Sequence, residues 1–88
     1  EHLVKFMKIN DHVQIEIGGH TDNVGSDSHN QTLSNNRAGE VKKYLYSRGI
    51  AKGRVLSKGY GEKSPIQSND NEEGRAMNRR TVCRIVGL

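Results

Sequence analysis

Residues 13–29 read VQIEIGGHTDNVGSDSH, and the change of character inside this stretch decides the fold. Val13, Ile15 and Ile17 alternate with Gln14 and Glu16, the two-residue period of a strand with one buried face. Gly18-Gly19 ends that strand, and residues 19–29, rich in Gly, Asp and Ser, form a loop. A single buried face needs a second layer to cover it, and the flanking segments have to supply that layer.

Upstream, Leu3, Val4, Phe6, Met7 and Ile9 fall on one arc at helical spacing, with Lys5 and Lys8 opposite, so residues 1–9 are expected to be helical. That helix carries no capping signal at its start. Downstream, a second helix is expected from Asn30 to Ser47, stopped by Gly49. At 100° per residue, Leu45, Ala38, Tyr44 and Leu33 gather around Val41 on the inward face, while Lys42, Lys43, Asn35 and Asn36 lie on the far side. Gly39 inside this helix costs about 1 kcal/mol relative to Ala. Residues 54–59 suit a short strand, 61–71 a polar loop with the only proline, and 72–78 one or two helical turns. Residues 79–86 suit a last strand, with Val82 and Val86 on one face and Cys83 and Ile85 on the other. Cys83 reads as a small buried hydrophobe. The expected fold class is α/β (α+β), a two-layer sandwich of helices on one sheet.

Eighty-eight residues make one domain. Leu, Ile, Val and Phe number 19 of the 88, just above the roughly 20% below which chains tend to stay disordered. No apolar run approaches the roughly 18 residues of a transmembrane helix. One cysteine excludes an internal disulfide and a multi-thiolate zinc site. Residues 1–36 hold two lysines against five acids, and residues 37–88 hold twelve Lys and Arg against five acids. The basic half points to an anionic partner. With no Trp, one Phe and three Tyr, it lacks the stacking platform of a nucleic-acid module.

Three polar clusters are candidates for chemistry: Gly19-His20-Thr21-Asp22-Asn23 after the first strand, Asn30 with Arg37 on the second helix, and Asn78-Arg79-Arg80 entering the last strand. Asn30 and Arg37 both lie within about 40° of Val41, which puts an arginine on an inward face where arginine is unusual. Singly, each has a structural explanation: an Asx-turn for Asp22, an ion pair or snorkelling for Arg37, a solvated strand start for residues 78–80. Together, an acid on a loop and an arginine on the facing helix complement the ammonium and carboxylate of an amino-acid zwitterion. His20, Asp22 and His29 lack the spacing of a metal site, and Ser34 sits within a helix, unlike the exposed nucleophile of a Ser-His-Asp set.

The run IEIGGHTDNVGSDSHNQTLSNNRAGEVKKYLYSRGI (residues 15–50), then GYGEKSP (59–65) and NRRTV (78–82), resembles the OmpA C-terminal-like domain. The resemblance covers roughly residues 12–86. It implies a βαβαββ fold with a mixed sheet, of which the first strand and the start of the first helix lie outside these residues. The domain, residues 1–88, is then N-terminally incomplete. An open sheet edge would favour partner-strand addition or swapping into a homodimer. The resemblance further implies non-covalent binding of peptidoglycan through the diaminopimelate of its stem peptide, with no enzymatic step, cofactor or metal. By carry-over Asp22 takes the ammonium and Arg37 the carboxylate. Thr21, Asn30, Asn23 and Val24 frame the pocket, and Arg79 or, by preference, Arg80 adds a contact to stem-peptide carboxylates or glycan. Tyr60 is structural. The implied setting is the periplasm, outer-membrane associated, with any membrane attachment through a tether outside this chain. The alternatives are a basic nucleic-acid module or a protein-interaction module without a wall ligand.

Overall fold

A computed structural model describes residues 2–87. The alternating stretch forms the central strand β1 (Gln14–Gly19), with Ile15 and Ile17 buried and Gln14 exposed. It pairs in parallel with β2 (Val55–Gly59), from Ile15↔Val55 to Gly19↔Gly59. On its other side it pairs antiparallel with β3 (Thr81–Gly87), from Ile15↔Ile85 to Gly19↔Thr81. The sheet is therefore mixed, in the order β2-β1-β3, and the α+β two-layer expectation holds.

Parallel neighbours need a crossover, and helix α2 (Asp27–Ser47) provides it between β1 and β2. Helix α1 (His2–Ile9) and α2 close the core, which comprises Val4, Met7, Val13, Ile15, Ile17, Ala38, Leu45, Ile50 and Val55. A 3-10 turn (Lys52–Arg54) leads into β2, and helix α3 (Glu72–Asn78) precedes β3. No helix among the described residues is long and apolar enough to cross a membrane.

Helix α2 begins at Asp27, three residues before the expected Asn30. Ser26 caps it, its hydroxyl accepting the His29 N–H at 3.1 Å, and Asp27 places a negative charge in the positive first turn. At the other end Gly49 is the expected stop, with φ +91° and the Ile50 N–H bonded back to Leu45. The buried stripe of α2 is Asn30, Ser34, Ala38 and Leu45, while Leu33 is only half-buried and Tyr44 is 41% exposed. Ser34 leads this stripe because α2 crosses two glycines there. A Cβ on Gly19 would overlap the Ser34 carbonyl, and one on Gly59 would overlap the Asn35 backbone nitrogen. Ser34 fills this close approach, its hydroxyl accepting the Gly61 N–H at 2.9 Å and donating to the Gln31 carbonyl at 2.9 Å.

From Thr81 to Ile85 the register of β3 keeps the expected alternation, with Cys83 and Ile85 opposite the inward Ile17 and Ile15 and Val82 opposite Gly18; beyond it the register shifts, Gln14 pairing with Gly87 and leaving Val86 out of the ladder. Burial does not follow. Cys83 is exposed rather than buried, and Ile85 is 51% exposed. Among the described residues β3 is an edge strand, and only β1 packs extensively on it.

Asn78 departs furthest from a solvated strand start: it is wholly buried. Its Oδ1 accepts the N–H groups of Ile66 (2.8 Å) and Gln67 (3.1 Å), and its Nδ2 donates to the Gln67 carbonyl (2.9 Å) and Asn69 Oδ1 (2.8 Å). One side chain thus organises the loop that the sequence marks only as long and polar.

Candidate functional site

The polar residues after β1 are held by continuations of the sheet. The His20 N–H donates to the Arg80 carbonyl (2.8 Å), the Tyr60 N–H to the Gly19 carbonyl (2.9 Å), and the Thr21 N–H to the Gly61 carbonyl (2.9 Å). His20, Thr21 and Asp22 are consequently buried, at 7%, 3% and 7% exposure, although they lie in a loop.

Asp22 is the centre of the site. Its Oδ1 accepts the Val24 N–H at 3.0 Å, the Asx-turn expected of a loop aspartate. Its Oδ2 accepts Arg79 Nη1 at 2.7 Å. Burial pushes the carboxyl up, but the Arg79 hydrogen bond, the Val24 N–H and the charges of Arg79 and Arg75 outweigh it and hold the group below the usual carboxylate value. The Asp22 carbonyl accepts the Thr21 hydroxyl (2.8 Å) and Asn30 Nδ2 (3.3 Å). Buried Asn30 also donates to Glu62 Oε1 (3.3 Å), tying α2 to the loop after β2.

Arg79 leaves the end of α3 and runs back along it, so that Nη2 meets Glu72 Oε2 at 2.7 Å. Its guanidinium is forked between Asp22 and Glu72. Hydrogen bonds to Glu72 and Asp22 raise its pKa, and the Arg79 hydrogen bond lowers that of Glu72. Arg75 Nε lies 3.4 Å from Glu72 Oε1.

Arg37 stands on α2 two turns beyond Asn30, a rise of about 10 Å along the same face. It is half-buried, and among the described residues it has no hydrogen bond or ion pair. An unpaired, partly desolvated guanidinium is a ready receptor for a carboxylate. Asn23 and Val24 are exposed on the loop rim. Arg80 turns elsewhere, donating to the Ser64 carbonyl (2.8 Å) and the Asn78 carbonyl (3.4 Å). The structure therefore brings Thr21, Asp22, Val24, Asn30 and Arg79 together, sets Arg37 two turns along, and places Arg80 against the 61–65 loop. Sequence reasoning did not find Glu62 or Glu72. The seven-residue spacing of Glu72 and Arg79, two turns of one helix, was the signal for the second.

The open face of the sheet carries a cleft of about 180 Å³ beside the stacked rings of His20 and Tyr60, 5.0 Å apart and within 7° of parallel. Tyr60 donates to Glu16 Oε1 at 2.5 Å, and this bond raises the phenol pKa, with burial and the Glu16 charge adding to it. Ser34 is fully buried with its hydroxyl engaged on both sides, so it has no access to a substrate. Among the described residues no three His, Cys, Asp or Glu side chains are grouped to hold a metal.

The sequence model of the OmpA family matches residues 1–79. The chain belongs to the OmpA family. This OmpA-family chain is 44% identical over 85 residues to outer membrane porin F of Pseudomonas fluorescens, covering 97% of the chain and 26% of the porin. It is 46% identical over 67 residues to the peptidoglycan-binding protein ArfA of Mycobacterium tuberculosis, covering 76% of the chain and 21% of ArfA. It thus spans about a quarter of the length of these relatives. The C-terminal domain of Helicobacter pylori MotB superposes with a TM-score of 0.84 at 27% identity, over 99% of this chain and 70% of the MotB domain. The OmpA-family fold accounts for the mixed sheet and for the crossover that brings the loop after β1 against α2.

Proposed function

We propose that this OmpA-family domain binds peptidoglycan non-covalently through the diaminopimelate of its stem peptide, and so tethers an outer-membrane or envelope component to the wall from the periplasm. The observation that carries the reading is the buried carboxylate of Asp22, whose loop is held to α2 through Asn30, with the unpaired guanidinium of Arg37 two turns further along that helix. A second zwitterionic centre on a stem peptide fits this pair, its ammonium on Asp22 and its carboxylate on Arg37. Thr21 and Asn30 hold the loop in place, while Asn23 and Val24 line its rim. Arg80 adds a contact to further stem-peptide carboxylates or glycan, whereas Arg79 is taken up by Asp22 and Glu72. Peptidoglycan binding in the name of ArfA, and outer-membrane residence in that of porin F, support the same reading. No bond is made or broken, and the fixed, engaged state of Ser34 suits a binding module.

Each charge-assisted contact contributes on the order of 1.5–3 kcal/mol, so removing one weakens binding about 10- to 150-fold. Asp22→Asn and Arg37→Ala are therefore expected to lose co-sedimentation with purified diaminopimelate-containing sacculi. The wild-type domain is expected to ignore sacculi whose stem peptides carry lysine instead, since lysine lacks the side-chain carboxylate. Retention of both variants at the wild-type level would overturn the assignment.

A further inference from the structure

The hydrogen bonds of Asp22 raise a difficulty for an ammonium ligand. One carboxylate oxygen is engaged by the Val24 N–H and the other by Arg79, and the side chain is only 10% exposed. An incoming ammonium at Oδ2 meets a guanidinium already there, and two like charges a few ångströms apart repel. Arg79 nevertheless has somewhere to go. Glu72 holds Nη2 at 2.7 Å, and its second oxygen lies 3.5 Å from Nη1, the nitrogen bonded to Asp22. A small shift of Nη1 from Asp22 to Glu72 would complete a two-toothed fork on one carboxylate, the strongest geometry open to an arginine. Arg75 Nε lies 3.4 Å from that same oxygen, Oε1, and helps to hold Glu72 in place.

We propose that Arg79 is the internal counter-cation of Asp22, and that Glu72 takes over its guanidinium when a ligand ammonium arrives, which makes Glu72 a positioning residue that sets the affinity of the site. The inference rests on the reading of Asp22 as an ammonium ligand. It assigns a role to α3, which that reading leaves unused. An ammonium gains only the difference between its own bond to Asp22 and the bond that Arg79 gives up, and Glu72 reduces the second quantity.

The test is calorimetric titration of the domain with a soluble diaminopimelate-containing muropeptide. The Glu72 side chain is 65% exposed, so Glu72→Gln is expected to fold normally, as checked by thermal melting. It should weaken binding about two- to fivefold, the scale of an exposed ion pair. Glu72→Asp should recover most of that loss, which a merely structural role would not require. Arg79→Gln should tighten binding, and the double variant should match Arg79→Gln, because Glu72 acts only through Arg79. Should Arg79→Gln not fold, the Arg79 side-chain nitrogen resonances of the wild type are followed instead, and they should shift as the muropeptide saturates the site. Unchanged affinity in Glu72→Gln, weaker binding in a folded Arg79→Gln, or static Arg79 resonances on saturation would overturn the inference. Absence of muropeptide binding by the wild type would instead overturn the ligand reading, and this inference with it.

Discussion

Replacing Asn78 by alanine removes four hydrogen bonds from a side chain with no solvent exposure. Two of them satisfy the backbone N–H groups of Ile66 and Gln67, one the Gln67 carbonyl, and one the side chain of Asn69. A net contribution of about 1 kcal/mol per bond, partly offset by water reaching this half-exposed loop, gives a loss of about 3–4 kcal/mol. That is a large share of the roughly 5–15 kcal/mol that holds a small domain together. For a chain of this length it lowers the melting temperature by about 15–25 °C. Asn78→Asp separates the donors from the acceptors. It keeps both bonds from the Ile66 and Gln67 amides but turns an oxygen towards the Gln67 carbonyl and Asn69 Oδ1, so it should also be destabilising. Urea unfolding measures the global effect, and hydrogen exchange at the amides of Ile66 and Gln67 measures the local one. An Asn78→Ala protein with a wild-type urea midpoint and wild-type protection at both amides would refute the claim that this side chain organises the loop.

Two further outcomes concern positions that the fold treats in opposite ways. Gly19→Ala drives a methyl group into the Ser34 carbonyl and should cost about 1–3 kcal/mol, whereas Gly39→Ala meets open space and should stabilise by about 1 kcal/mol; equal effects on the urea midpoint would contradict the close approach of α2 to β1. Burial and the neighbouring Arg80 charge lower the His20 pKa, so below about pH 6.5 the unfolded chain takes up a proton that the fold resists and stability falls with pH; His20→Phe, which keeps the ring on Tyr60, should flatten the melting-temperature profile between pH 7 and 5, and parallel profiles would exclude His20 as the cause.

The sequence exposed what depends on local period and hid what depends on cover. The alternation of Val13, Ile15 and Ile17 located the central strand because each side chain's face follows from its neighbour's. The same logic matches the pairing of β3 from Val82 to Ile85, yet Cys83 and Ile85 remain exposed, since alternation says which way a residue turns and not what lies beyond it. The start of α2 was hidden in a loop-like run, because serine and aspartate favour both turns and helix caps. Motif and helical angle singled out Asp22 and Arg37, which the fold holds buried and half-buried respectively. They did not single out the partner of Asp22, because Arg79 and Arg80 are adjacent and only the path of the chain out of α3 decides which of them returns to the loop. Asn78, at the head of the same triplet, looked like surface and is the least exposed of the three.

The stitches that bury Thr21 and Asp22 also fix how a pull on the site would enter the fold. Force applied at Asp22 reaches β1 at its C-terminal end and runs along the strand axis. The ladders to β2 and β3 lie on either side of that axis, so a load directed along the strand strains their hydrogen bonds together in shear. The bond from Thr21 to Gly61 and the bridge of Asn30 to Glu62 spread part of the tension into the loop after β2 and into α2 before it reaches the sheet. Under such a load the fold yields by losing many weak bonds at once, and its lifetime under tension is set by the height of that shared barrier and not by the strength of any one contact.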